Sequence, residues 1–193
     1  MKRISSFPVL AVIFWCLLLV VSTPQARDKV RLSLQASVSQ VLGTDTVVTI
    51  DYSRPGDKGR KIWGELVSYG LAPGNKYSKG EPFPWRGGAN ENTTFESTSD
   101  LIVEGQKLPA GKYGLHMIPS ESDWVIIFSK NNSSWGSFSY SSEEDQIRVT
   151  VTPEQAPHCE WLMYGFDNLN GTSATAFLRW EKLRVPIEIK LAE

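Results

Sequence analysis

The chain has 193 residues, 41% of them hydrophobic and 21% charged, with 20 basic residues against 21 acidic ones and a formal charge of −1 at neutral pH. That balance excludes the basic stripe of a nucleic-acid binder, and the length suffices for one domain that buries roughly 70% of the surface its unfolded chain exposes. Two cysteines and two histidines, without close ligand spacing, predict neither a disulfide framework nor a dedicated transition-metal site, so neither a metal nor a cofactor is expected.

Lys2 and Arg3 precede an apolar run from Val9 to Val21, and small residues near Ala26 come after it. This is the layout of a cleaved secretory signal, and the run of about thirteen residues is short of the roughly twenty that span a bilayer. Residues 1–26 are therefore expected to be removed, leaving residues 27–193 as a single β-sandwich domain with no membrane span, exported to the periplasm or the extracellular space. Losing Lys2 and Arg3 leaves 18 basic residues against 21 acidic ones, a formal charge of −3. Cys159 is then the sole cysteine, expected as a small buried apolar side chain. Its neighbour His158 points to the opposite face of any strand they share.

Period-two patterning dominates the mature chain. Leu32, Leu34, Ala36 and Val38 alternate with polar partners, a Gly43-Thr44-Asp45 turn intervenes, and Val48, Ile50 and Tyr52 resume the alternation. The pair predicts a hairpin. Ser53 to Asn92 then breaks the pattern with about forty residues rich in glycine, proline and charge, a length that marks a loop as functional or disordered. Ile62, Leu66 and Tyr69 share a helical face, which predicts one short helix over Lys61 to Tyr69.

Leu101 to Val103 predicts another strand, and Leu108-Pro109-Ala110-Gly111 has the proline and glycine placement of a type I turn. Tyr113, Leu115 and Met117 share a face after it. Trp124 to Phe128 is apolar on both faces, as in a central strand, and Ile147, Val149 and Val151 alternate until Pro153. Trp161 to Phe166, Ala176 to Trp180 and Val185 to Leu191 complete the set. Pro186 lacks the N–H a ladder requires, which predicts an edge or a bulge for the last strand. Eight or nine short strands with regular turn signals predict an all-β fold, an antiparallel sandwich or jelly-roll-like barrel with one long irregular loop.

The long loop concentrates the chemistry. Arg54, Lys58, Arg60 and Arg86 offer cations, the arginines with a planar fork suited to carboxylate or phosphate, and Gly56, Gly59, Gly87 and Gly88 allow backbone N–H groups close to an anion. Trp85, Asn90 and Glu91 complete the candidate ligand-binding set. Trp63, Trp85, Trp135, Tyr69 and Tyr77 are the aromatics a carbohydrate platform would use. For catalysis the candidates are Glu91 as general acid and His116 as base, with His116 facing away from the Tyr113/Leu115/Met117 side. Nucleophile-elbow, zinc-protease and phosphate-loop motifs are all absent from the sequence.

Several ordered motifs share one register: Asp51-Tyr52-Ser53-Arg54-Pro55, Lys58-Gly59-Arg60-Lys61-Ile62-Trp63-Gly64, Trp85-Arg86-x-Gly88-Ala89-Asn90-Glu91-x-Thr93, Leu108-Pro109-Ala110-Gly111-Lys112-Tyr113 with Ile118-Pro119, and Trp135-Gly136. Together they resemble the bacterial domain-of-unknown-function family 2911 from about Ser33 to Leu191. The resemblance implies an exported bacterial protein rich in β-structure and carries no catalytic residue with it. The chain departs from the family pattern at an insertion from Pro73 to Pro84, and at Gly87, where a threonine is usual. The leading expectation is a non-catalytic binding module for a small anionic or polyhydroxyl ligand, such as a carbohydrate. The alternatives are a hydrolase using Glu91 and His116, and a structural envelope protein in which the motif braces the loop.

Overall fold

The computed structural model describes residues 30–193; the expected signal segment, residues 1–26, lies outside the described residues. The first predicted hairpin forms as β1 (Leu34–Leu42) and β2 (Thr46–Arg54), paired antiparallel so that Leu42 faces Thr46 across the three-residue turn. Gly43 takes a φ of 62° there, a conformation that costs glycine little. These strands belong to a six-stranded sheet with β3 (Thr94–Ser97), β6 (Gly111–Ile118), β7 (Trp124–Ser129) and β8 (Asp145–Val151), in the order β1-β2-β3-β6-β7-β8. A second sheet has the order β5-β4-β10-β9, from β4 (Leu101–Val103), β5 (Gln106–Leu108), β9 (Glu154–Asn170) and β10 (Ser173–Leu191).

Every strand pair is antiparallel and the sheets do not close into a barrel, which makes the fold a sandwich. The core lies between the inner faces: Val48, Ile50, Phe95, Leu115, Met117, Trp124, Ile126 and Phe128 from one sheet meet Leu101, Val103, Leu162, Tyr164, Ala176, Leu178 and Trp180 from the other. The Leu108–Gly111 turn carries the chain from the second sheet into the first. Asp100 Oδ1 accepts from the Ala110 N–H at 2.9 Å, and the Tyr113 hydroxyl donates to the Pro109 carbonyl at 2.9 Å.

Two predicted details are corrected, the edge position of Pro186 and a helix, while the bulge named as the alternative to an edge has its counterpart in the register shifts of β10 between Arg179 and Leu183. Pro186 lies in an interior strand: β10 runs between β4 and β9, and the proline falls after the β9 ladder ends at Arg184 opposite Glu154 and before the β4 ladder begins at Ile189 opposite Val103. Its missing N–H therefore breaks no rung. The helix expected over Lys61 to Tyr69 is replaced by turns. Gly64 has a φ of 83°, its N–H bonds to the Val67 carbonyl, and Trp63 bridges Val67, which sends both Ile62 and Val67 into the core. An α-helix cannot pass through that backbone conformation.

The long loop between β2 and β3 is tied down along its length. Gly56 bridges Trp161, the Leu162 N–H donates to the Pro55 carbonyl, the Gly70 N–H to the Pro119 carbonyl, and Trp85 exchanges both backbone hydrogen bonds with Met117. Its two indoles complete the attachment. Trp63 and Trp85 pack against Trp124 of β7 and Trp180 of β10, with ring centroids 4.9 to 6.3 Å apart, so residues from both sheets and the loop share one aromatic cluster. Trp63→Ala is expected to destabilise the protein by roughly 3 kcal/mol, as loss of a packed indole does. Urea denaturation checks the magnitude, and limited proteolysis of the variant should cut first between residues 56 and 84.

Candidate functional site

Strand alternation decides where the central motif points. Trp85 pairs with Met117 as an extra rung beyond the end of β3, so its indole faces inward, and the next residue, Arg86, faces out. There the guanidinium lies 4.9 Å from the Phe138 ring and packs on Gly136, where any Cβ would collide with the Arg86 Cζ. The motifs Trp85-Arg86 and Trp135-Gly136, fifty residues apart in sequence, thus meet in space because one supplies a cation and the other a residue without a side chain. Arg86 Nη1 donates to the Asn90 carbonyl. Asn90 takes a φ of 62°, and its side-chain amide donates to the Ser33 carbonyl at 3.3 Å. No carboxylate pairs with Arg86 among the described residues, and burial pushes its pKa down.

A cleft of about 550 Å³ opens beside this guanidinium, within the size range of small-molecule sites. Lys58, Arg60 and Arg86 are the charged residues on its lining, and it contains neither aspartate nor glutamate. Trp85 and Asn90 also border it, and Leu66, Val67, Ala72, Phe83 and Phe138 give it apolar surface. Five of the seven predicted ligand-binding residues therefore share one concavity: Lys58, Arg60, Trp85, Arg86 and Asn90.

Arg54 and Glu91 stand outside it. Arg54 Nε donates to the Leu162 carbonyl at 2.9 Å, a tether to β9. Glu91 takes both guanidinium nitrogens of Arg31, at 2.7 and 2.8 Å, and that hydrogen bonding holds its carboxyl below the usual carboxylate range. Arg60 has a double role, since Nη2 and Nε also bond the carbonyls of Gly56 and Asp57 at 2.7 and 3.0 Å.

His116 does face away from Leu115 and Met117, but it is buried, beneath the loop that carries Ser137 and Tyr140. Its Nδ1 lies 2.8 Å from the Ser137 hydroxyl, and burial, followed by the positive charge of Arg86, lowers its pKa to about 4. The ring is neutral at ordinary pH. Glu91 and His116 share no hydrogen bond, and neither lines the cleft.

The aromatics of the expected platform separate. Trp63 and Trp85 belong to the indole cluster, Tyr69 lies against Gly64, and Trp135 is exposed. Tyr77 stacks on Phe138, with centroids 5.5 Å apart, and Phe83 meets the same ring at 5.0 Å. The segment from Pro73 to Pro84 supplies both Tyr77 and Phe83. It is organised by Asn75, whose side-chain oxygen accepts from the N–H groups of Tyr77 and Ser78, and closed by the Ala72–Phe83 bridge.

Sequence reasoning missed Phe83, Phe138 and Trp180 at the cleft, because only tertiary contact brings their segments to it. It also missed a second group: Asp57, His158 and Glu160 converge where the loop lies on β9. Cys159, expected as a buried apolar side chain, is half-buried, and its Sγ lies 3.3 Å from the Trp161 carbonyl oxygen.

Fold and site define a β-sandwich whose long loop is fastened to both sheets and borders a cation-lined cleft. The chain belongs to the family described as protein of unknown function, DUF2911, whose model matches residues 33–189. Comparison with curated proteins and with solved structures gave no match. No helix among the described residues is long and apolar enough to cross a membrane.

Two outcomes are expected at this site. Because the folded pKa of His116 lies below its unfolded value of 6.5, the unfolded chain binds the proton more readily. Stability should therefore be fully present above pH 6.5 and fall by about 3 kcal/mol as the pH drops to about 4, and His116→Gln should flatten that part of the curve in denaturant titrations. Gly136→Ala should lower stability by more than about 1 kcal/mol, since alanine meets both a φ of 69° and the Arg86 guanidinium; thermal unfolding measures it.

Proposed function

We propose that the protein is a non-catalytic binding module, exported through its amino-terminal segment, that holds a small anionic or polyhydroxyl ligand in the cleft bordered by Lys58, Arg60, Trp85, Arg86 and Asn90. The observation that carries this reading is the one-sided charge of the lining, three cations and no carboxylate. Arg86 is the principal contact. Its charge is partly withdrawn from water, its hydrogen bond goes to a neutral carbonyl, and no acid among the described residues competes for it, so an incoming carboxylate or phosphate finds a preorganised donor. The apolar surfaces of Leu66, Phe83 and Phe138 favour an organic anion over an inorganic one. The exported location draws on Lys2, Arg3 and the apolar run from Val9 to Val21.

A structural role in the cell envelope is the second reading, favoured by Arg54 and Arg60, whose hydrogen bonds to carbonyl groups brace the loop. Thermal unfolding with a panel of aromatic and aliphatic carboxylates, inorganic phosphate and simple sugars separates the two. Binding to the native state alone adds about 2.7 kcal/mol of stability when ligand is present at a hundred times its Kd. At least one organic carboxylate should raise the melting temperature and change tryptophan fluorescence, since Trp85 and Trp180 border the cleft, and Arg86→Ala should abolish both responses while unfolding cooperatively. If no compound on the panel shifts the wild-type protein and Arg86→Ala merely unfolds earlier, the bracing reading replaces the binding one.

A further inference from the structure

Asp57, His158 and Glu160 take no part in the anion reading, yet each offers a ligand atom within 4.8 Å of the other two. Backbone pairing imposes the convergence. The Asp57 N–H donates to the Glu160 carbonyl at 2.9 Å and the Leu162 N–H to the Pro55 carbonyl at 3.0 Å, so the loop lies along β9 as a short extra strand. His158 and Glu160 are two apart on β9 and share a face, against which Asp57 is laid.

Both carboxylates of the group have protein donors. Asp57 is only 4% exposed; its Oδ1 accepts from the Gly59 N–H at 2.9 Å and its Oδ2 faces His158 Nε2 at 2.5 Å. Glu160 Oε1 accepts from the Lys58 N–H at 3.0 Å. The nearby cations are engaged elsewhere: Arg60 bonds two carbonyl groups, and Lys58 Nζ lies 6.0 Å from the centre of the Trp161 ring. Among the described residues no lysine or arginine forms an ion pair with Asp57 or Glu160, and the imidazole between them is charged only when protonated. Two carboxylates and one imidazole thus converge with no fixed lysine or arginine charge among them.

We propose that Asp57, His158 and Glu160 form a divalent-cation site, with His158 Nε2 and one oxygen from each carboxylate as ligands. The cation takes the place of the proton between His158 Nε2 and Asp57 Oδ2; that proton leaves to solvent from a doubly protonated ring, and a neutral ring carries its one proton on Nδ1 instead. One imidazole nitrogen and two carboxylate oxygens suit Zn²⁺ or Mn²⁺ better than a soft ion. Cys159 adds no ligand, since its Sγ is turned to the Trp161 carbonyl, 3.3 Å away. Three protein ligands leave coordination positions for water or an anionic group, and Gly56, Lys58 and Arg60 connect the triad to the cleft lining. The proposal stands whether or not the cleft holds an organic anion.

The test is calorimetric titration of the purified protein, stripped with a chelator, with Zn²⁺ and with Mn²⁺. Glu160→Gln and His158→Gln are the variants, and Cys159→Ser is the control for thiol binding. Asp57 is left intact because it also holds the turn at Gly59, and circular dichroism without metal verifies that each variant is folded. One equivalent of at least one ion should bind and raise the melting temperature, with affinity reduced by about tenfold or more in both Gln variants and unchanged in Cys159→Ser. Failure of both ions to bind at one equivalent, or affinity unchanged in either folded Gln variant, would overturn the site.

Discussion

Insertion of two indoles from the long loop between the sheets is the contact on which the remaining geometry depends. Trp63 and Trp85 lie against Trp124 and Trp180, and the backbone rungs at Gly56 and Trp85 hold the loop in register on either side. The loop buries apolar surface as a strand would, while its turns stay free to carry cations. Arg86 gains its position from Trp85 through alternation alone. The guanidinium is thus a passenger of the aromatic anchor: it bonds the Asn90 carbonyl and packs on Phe138 and Gly136 with no carboxylate beside it among the described residues.

The loop's attachment organises two kinds of chemistry from one set of rungs. Toward the cleft it presents Lys58, Arg60 and Arg86 without an acid among the lining residues. Toward β9 it lays Asp57 beside His158 and Glu160. Arg60 connects the two, because its hydrogen bonds to the Gly56 and Asp57 carbonyls fix the turn from which Asp57 projects. Charges of opposite sign are therefore sorted to the two sides of a few residues of backbone, which keeps them from neutralising one another.

Alternation made most of the strands legible: the β1–β2 hairpin, the inward faces of β6 and β8, and the all-β class come from the spacing of apolar residues. β3 escaped notice because it is four residues long and buries Thr94 and Ser97 beside Phe95, so its polar positions do not mark solvent. The false helix at Lys61 to Tyr69 came from three apolar residues at helical spacing across Gly64, whose positive φ no sequence period reveals. The cleft's charged residues were legible because they cluster within one loop and its motifs. Its apolar wall was not, since Phe83 and Phe138 are joined only by tertiary packing, and Asp57 finds His158 across 101 positions of chain.

The segment from Pro73 to Pro84 gives the cleft an apolar wall built apart from its cations. Arg86 and Asn90 stand in the stretch that follows it, whereas Phe83 and Tyr77, which meet Phe138, come from the segment itself. The charged side of the cleft and its oily side are consequently encoded by separate parts of the chain. Substitutions between Pro73 and Pro84 can therefore reshape the apolar wall while the Arg86 guanidinium and its bond to the Asn90 carbonyl keep their places.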